Sequence, residues 1–228
     1  MDSTGESLHK RGYRIQPIDA PLNEVLAAGL IKLSNWHPDQ PLYDPMCGSG
    51  TIIIEALKIG LNIPPQDRER SYLFMNWKNF NNERYHSILS DCFDNQLDDR
   101  DIGIKAADKS IKAVNATKIN LQEAGLDKYV TIERRDFFKT ENIPPATIIT
   151  NPPYDQRLQV DDVKRFYKLL GDQLKKECKD CSAWIFSGNI DALKSVGLKP
   201  NMKYSLYNGG IESKFYNFNI YEGSLEEE

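Results

Sequence analysis

No run of about 18 apolar residues occurs in this 228-residue chain, which excludes a membrane-spanning helix. The opening residues, Met1-Asp2-Ser3-Thr4-Gly5-Glu6, are polar and carry no secretory-signal pattern, so the cytoplasm is the expected compartment. Cysteine is scarce. Cys47, Cys92, Cys178 and Cys181 are too few and too scattered for a disulfide framework in a protein that is not secreted. Cys178-Lys179-Asp180-Cys181 is a lone C-x-x-C. A closed zinc site needs four ligands, and neither a second pair nor a His tract accompanies this one, so no metal is expected. It also lies late in the chain, away from the first strand–turn–helix where a thioredoxin-like redox pair belongs. A helix end followed by a strand is the expected reading. His37 and His86 have no metal-like partners. Repeats and low-complexity segments are absent. Positive charge is lacking too, with a formal net charge of −4 at pH 7. Proteins that grip nucleic acid unaided are usually basic, because neutralising phosphates supplies most of the affinity. Either the substrate is small, or the grip comes from residues outside this chain.

What is present is a core-forming composition, 40% hydrophobic and 27% charged, at a length suited to one α/β domain. The clearest basic cluster, His9-Lys10-Arg11-Gly12-Tyr13-Arg14, falls in an N-terminal arm expected over residues 1–20. In residues 21–228, Leu22, Val25, Leu26, Leu30 and Leu33 recur at helical spacing after Pro21. Pro41-Leu42-Tyr43-Asp44 reads as a short buried strand that runs through a Gly-rich turn into a helix from Thr51 to about Leu61. Residues 62–100, with Pro64-Pro65 and dense charge, read as a partly helical insertion. Its Trp77 and Phe80, like Tyr13 of the arm, are expected to pack rather than to stack on nucleic acid. Regular alternation then resumes with a strand at 102–106, a helix at 109–124, strands at 129–133 and 146–150, a helix at 160–176 and a strand at 183–186. Two last strands, 201–207 and 214–221, flank Asn208-Gly209-Gly210, a hairpin signal. The expected fold is α/β, a mostly parallel seven-stranded sheet with an antiparallel C-terminal hairpin.

In open α/β sheets, ligands bind beyond the carboxyl ends of the strands, where strand order reverses. The first strand ends in Asp44-Pro45-Met46-Cys47-Gly48-Ser49-Gly50-Thr51, whose glycines let the backbone approach a ligand closely. No Gly-Lys-Ser/Thr follows, so this is not a phosphate-cradling P-loop, and the full G-x-G-x-x-G fingerprint is missing. Acids mark three successive strand ends: Asp44, then Asp108 beside Lys109, then Asp136 beside Phe137. An acid after the second strand can accept hydrogen bonds from both ribose hydroxyls. The plainer role for Asp108 is the N-cap of the next helix. S-adenosylmethionine is a sulfonium with an ammonium and no phosphate, so carboxylates suit it better than they suit NAD.

The fourth strand ends in Thr150-Asn151-Pro152-Pro153-Tyr154. Consecutive prolines fix φ and remove two backbone donors, leaving carbonyls free for a ligand. The lone pair of an aromatic amine is delocalised into its ring, so the amine is a poor nucleophile. Acceptors on Asn151 and on the Pro152 carbonyl can hold both N–H groups, favour a pyramidal nitrogen and aim it, while Tyr154 stacks on the base. Any paired base must first swing out.

Asp-Pro-x-Cys-Gly-Ser-Gly-Thr followed by Asn-Pro-Pro-Tyr resembles the amino-methyltransferases that include N6-adenine DNA methylases and RNA guanine-N2 methyltransferases. More narrowly, Ser3 to Arg14 resembles the segment that opens the catalytic domain of THUMP-containing ribosomal RNA guanine-N2 methyltransferases. Pro21-Leu22-Asn23-Glu24-Val25-Leu26-Ala27-Ala28 resembles that domain's next helix, whose start lies near the methionine end of the cofactor. The resemblance runs from about Ser3 to the C-terminal hairpin. It implies a Rossmann-like class I methyltransferase, with S-adenosylmethionine as cofactor and methylation of the exocyclic N2 amine of a guanine in ribosomal RNA, most closely the 23S. It also implies that an N-terminal THUMP region, outside this chain, grips the RNA. A monomer with no membrane partner is expected. One departure stands out: where the family continues Gly-Glu-Arg after the tetrapeptide, this chain has Asp155-Gln156-Arg157. Two other readings remain. An N6-adenine DNA methylase would use the same tetrapeptide, though no separate target-recognition domain or long basic insert is evident. A binding-only Rossmann-like module would have no use for Asn151 to Tyr154 together with Asp108.

Overall fold

The computed structural model describes all residues except 1, 19–21, 99, 154–159 and 222–228. Seven strands form one sheet in the order β3-β2-β1-β4-β5-β7-β6. They are β1 (Leu42–Asp44), β2 (Ile104–Asp108), β3 (Val130–Arg134), β4 (Thr147–Thr150), β5 (Ser182–Ser187), β6 (Met202–Asn208) and β7 (Ile211–Asn219). The first five pair in parallel, and β7 runs antiparallel to both β5 and β6. The helices are α1 (Glu24–Leu33), α2 (Thr51–Gly60), α3 (Asn82–Asp94), α4 (Ile111–Glu123), α5 (Val160–Glu177) and the short α6 (Ile190–Leu193). Strand order reverses between β1 and β4, so the expected switch point falls at Asp44 and Asn151.

Alternation on the central strands splits the core in two. Ile149, Trp184 and Phe186 face one cluster, built with α1, α2 and Leu121 of α4. Ile148, Ala183 and Ile185 face another, built with α5 and α6. Burial on both faces explains why Ile148-Ile149 of β4 and Ala183 to Phe186 of β5 are apolar in succession rather than alternating with polar residues. Helix α2 is apolar nearly all round because α1 and the arm cover its outer side. Its two charged residues are buried with it. Glu55 accepts the Tyr13 hydroxyl at 2.8 Å and pairs with Arg11 at 3.2 Å, while Lys58 lies over the Tyr13 ring. Tyr13 therefore packs in the core, as its sequence context implies.

Cys178 and Cys181, both buried, lie at the end of α5 and just before β5, as expected of a helix–strand junction. The hairpin turns at Gly209, whose φ of 61° lies in the left-handed region. Sequence periodicity gave no sign of α6, a single turn capped by Asn189. Among the described residues no helix is long and apolar enough to cross a membrane, and no cluster of metal-ligating side chains occurs.

Candidate active site

A cavity of about 1000 Å³ opens over the carboxyl ends of β1 to β4. Its walls bring together nearly every described residue singled out from the sequence. Asp44, Pro45, Cys47, Gly48, Ser49 and Thr51 come from the first strand end. Asp108 and Lys109 come from the second, Asp136 and Phe137 from the third, and Asn151, Pro152 and Pro153 from the fourth. Leu22 closes one side. Pro21, Tyr154 and the departure at Asp155-Gln156-Arg157 lie outside the described residues. Gly50 stands one step back from the cavity, as the left-handed N-cap of α2.

The Gly-rich loop is shaped by close contacts. Gly48 and Gly50 have φ of 58° and 82°, values that side chains rarely adopt. A Cβ on Gly48 would meet the Ile18 Cδ1 at 2.7 Å, and one on Gly50 would meet the Thr117 Cγ2 at 2.7 Å. The Gly48 amide donates to Asp108 Oδ2 at 3.1 Å, tying the first loop to the second strand end.

The three acids differ. Asp44 is almost fully buried, accepts the Met46 amide at 3.1 Å, and burial pushes its carboxyl up to about 7. A buried carboxylate so poorly compensated favours a cation beside it. Asp108 is the last residue of β2 rather than a residue just after it, and it accepts the Ser110 and Gly48 amides. Ser110, not Asp108, caps α4, accepting the Ala113 amide at 3.4 Å. Asp136 caps a single 3-10 turn through the Phe138 amide. The Cys47 thiol is pushed upward by burial, so it is a packed thiol rather than a nucleophile.

Asn151 follows β4, and its Oδ1 is buried without a hydrogen-bond partner. Such an acceptor costs free energy unless a ligand supplies a donor. Beside it, Pro152 is buried, and no proline nitrogen can donate. Sequence reasoning missed several wall residues: Ile18, Met46, Lys112, Phe138, Phe166 and Ile211. The hairpin periodicity placed Ile211 near a strand start, but only the β7–β5 pairing shows that its end of the strand reaches the cavity.

A switch-point cavity ringed by acids on an Asn-Pro-Pro strand end suits a cationic ligand, and the family to which the chain belongs is one of methyltransferase domains. The chain belongs to the UPF0020 family, described as the RMKL-like methyltransferase domain, whose model matches residues 11–217. It is 34% identical over 239 residues to a ribosomal RNA large subunit methyltransferase K/L from Syntrophotalea carbinolica, covering 97% of this chain and 33% of that protein. Among solved structures it matches SMU.472, described as "a putative methyltransferase complexed with SAH", with TM-score 0.86 and 33% identity, over 98% of this chain and 58% of that one. It also matches a "predicted N6-adenine-specific DNA methylase" from Listeria monocytogenes, with TM-score 0.82 and 31% identity, over 96% of this chain and 57% of that one. The fold is thus the Rossmann-like class I methyltransferase fold. The chain spans between a third and about three-fifths of the length of these relatives.

Proposed function

We propose that this domain transfers a methyl group from S-adenosylmethionine to the exocyclic N2 amine of a guanine in ribosomal RNA, most closely the 23S. The observation that carries the chemistry is the buried, unpartnered Asn151 Oδ1 at the switch point, in one cavity with Asp44, Asp108 and Asp136. Bound there, S-adenosylmethionine supplies an electrophilic methyl on a cationic sulfur.

The chain's own residues do the rest. Asp108 accepts hydrogen bonds from ribose hydroxyls, and Asp44 faces the cofactor's cationic end, where a positive partner relieves its burial. Gly48 and Ser49 bring backbone close to the cofactor, Thr51 opens α2 behind them, and Phe137 gives an apolar wall. Asn151 Oδ1 and the Pro152 carbonyl accept the two N–H groups of the amine, localising its lone pair and aiming it. No strong general base is required: the C–N bond would form as the methyl–sulfur bond breaks and S-adenosylhomocysteine leaves, and the amine proton, acidic only at that point, would pass to water. Pro153 shapes the turn, and Tyr154 is assigned to stacking on the swung-out base. Lys109, Pro21 and Leu22 complete the cofactor surroundings.

A net charge of −4 supports a reading in which residues beyond this domain, such as a THUMP region, supply most of the grip on RNA. Residues 1–20 are accordingly read as an arm, and residues 21–228 as the catalytic domain with its insertion at about 62–100. The test is a methyl-transfer assay with labelled cofactor on undermodified ribosomal RNA and on DNA, followed by nucleoside digestion. N2-methylguanosine from RNA is the expected product. Label confined to adenine, or to DNA, would replace this reading with the N6-adenine one.

A further inference from the structure

Asn120 sits in the body of α4, fully buried, where neither helix propensity nor hydrophobicity favours an asparagine. Its side chain uses its whole bonding capacity. Oδ1 accepts the Ile15 amide at 3.1 Å and the Gln16 amide at 2.9 Å. Nδ2 donates to the Gln16 carbonyl at 3.0 Å and the Ser49 carbonyl at 2.9 Å. Two donors and two acceptors exhaust what an amide offers. One residue thereby joins three segments: α4, the arm and the Gly-rich loop.

The neighbouring positions make the join directional. Ala113, Thr117 and Asn120 recur at helical spacing and share one face of α4. Ala113 lines the cavity, and the Thr117 hydroxyl donates to the Gly48 carbonyl at 2.9 Å. On the arm, Arg14 reaches the Leu22 carbonyl and, at 2.9 Å, the Thr51 hydroxyl, and pairs with the buried Glu24 at 3.4 Å. Beyond Gln16, Ile18 lies over Gly48 and forms part of the cavity wall. The arm is therefore a strap across the Gly-rich loop, and its Ile18 side chain forms part of the wall.

We propose that Asn120 is a positioning residue of the cofactor site, latching residues 15–18 of the arm across Gly48 and Ser49 so that Ile18 closes the cavity on the cofactor. This rests on the cofactor reading above. The latch acts on binding of the cofactor and not on the transfer step, because Asn120 is no part of the cavity wall.

The test compares wild type with Asn120→Asp, which keeps the shape but sets a carboxylate against two carbonyls, and with Ile18→Ala, which trims the strap without disturbing a buried polar group. Val196→Ala, in the core on the opposite face of the sheet, controls for lost stability. Calorimetry with S-adenosylhomocysteine gives affinity, and steady-state kinetics on ribosomal RNA separates the two KM values from kcat. For Asn120→Asp, the Kd for S-adenosylhomocysteine and the KM for S-adenosylmethionine rise about tenfold or more, while kcat at saturating cofactor and the KM for RNA stay within about threefold. Ile18→Ala moves in the same direction by roughly threefold, and Val196→Ala moves neither. Unchanged cofactor affinity in Ile18→Ala overturns the latch, even if Asn120→Asp does not fold. So does a loss in Asn120→Asp that Val196→Ala matches at equal Tm. Wild type that binds no S-adenosylhomocysteine overturns the cofactor reading itself, and the latch with it.

Discussion

The Gly-rich segment Asp44 to Thr51 and the connection at residues 62–100, which carries α3, both join helices and strands of the sheet, yet they are built on opposite terms. In the first, six of eight residues are buried, and their backbone and side-chain polar groups are held by Thr117, Asn120 and Asp108. In the second, no described residue is buried. It is held instead by partly exposed rings, with Tyr72 stacked on Phe74 at 5.0 Å and Trp77, Phe80 and Tyr85 around them, and by threads to the arm such as Arg70 on the Glu6 and Lys10 carbonyls. Buried polar groups with fixed partners make a precise surface, which is what aligning two reactants demands. Exposed rings make a tolerant one.

That contrast sets the order of expected effects. Asn151→Ala removes the buried acceptor proposed to hold the amine and lowers the single-turnover transfer rate by about 10²–10³-fold, the usual scale for one oriented polar group. Gly50→Ala combines a left-handed backbone with a clash against Thr117, so it destabilises by about 1–3 kcal/mol in urea unfolding. Asp44 supplies a pH signature. Its carboxyl is raised from 3.8 to about 7 in the fold, so the stability gained from its neutral form is complete below pH 4 and is lost as pH rises through 7. The stability of wild type relative to Asp44→Asn therefore falls between pH 4 and 7 and levels off above; a flat difference would show the acid to be solvated. Trp77→Ala, at a residue 41% exposed, costs under about 1 kcal/mol and leaves cofactor affinity unchanged.

Most of the fold is legible in the chain because each element agrees with its neighbours. The hydrophobic period, the Gly209-Gly210 turn and the strand–helix alternation all point to one sheet. The three acids and Asn151 are legible because strand ends are predictable once strands are. Less legible are contributions that depend on distant segments meeting. Ile18 and Ile211 enter the cavity from the arm and the hairpin, and no spacing in the sequence announces it. Asn120 offers a faint signal, a polar residue at an apolar helical position, whose meaning depends on the arm folded against it. The N-cap of α4 passed from Asp108 to Ser110 because β2 starts and ends two residues later than its apolar pattern, so that Asp108 still belongs to the strand.

Amide hydrogen exchange with and without S-adenosylhomocysteine tests the division between the two regions most directly. Residues 44–51, 108–113 and 136–138 should gain protection on binding, while residues 62–97 exchange as fast as before. Protection centred on the insertion, with the strand ends unchanged, would contradict the account.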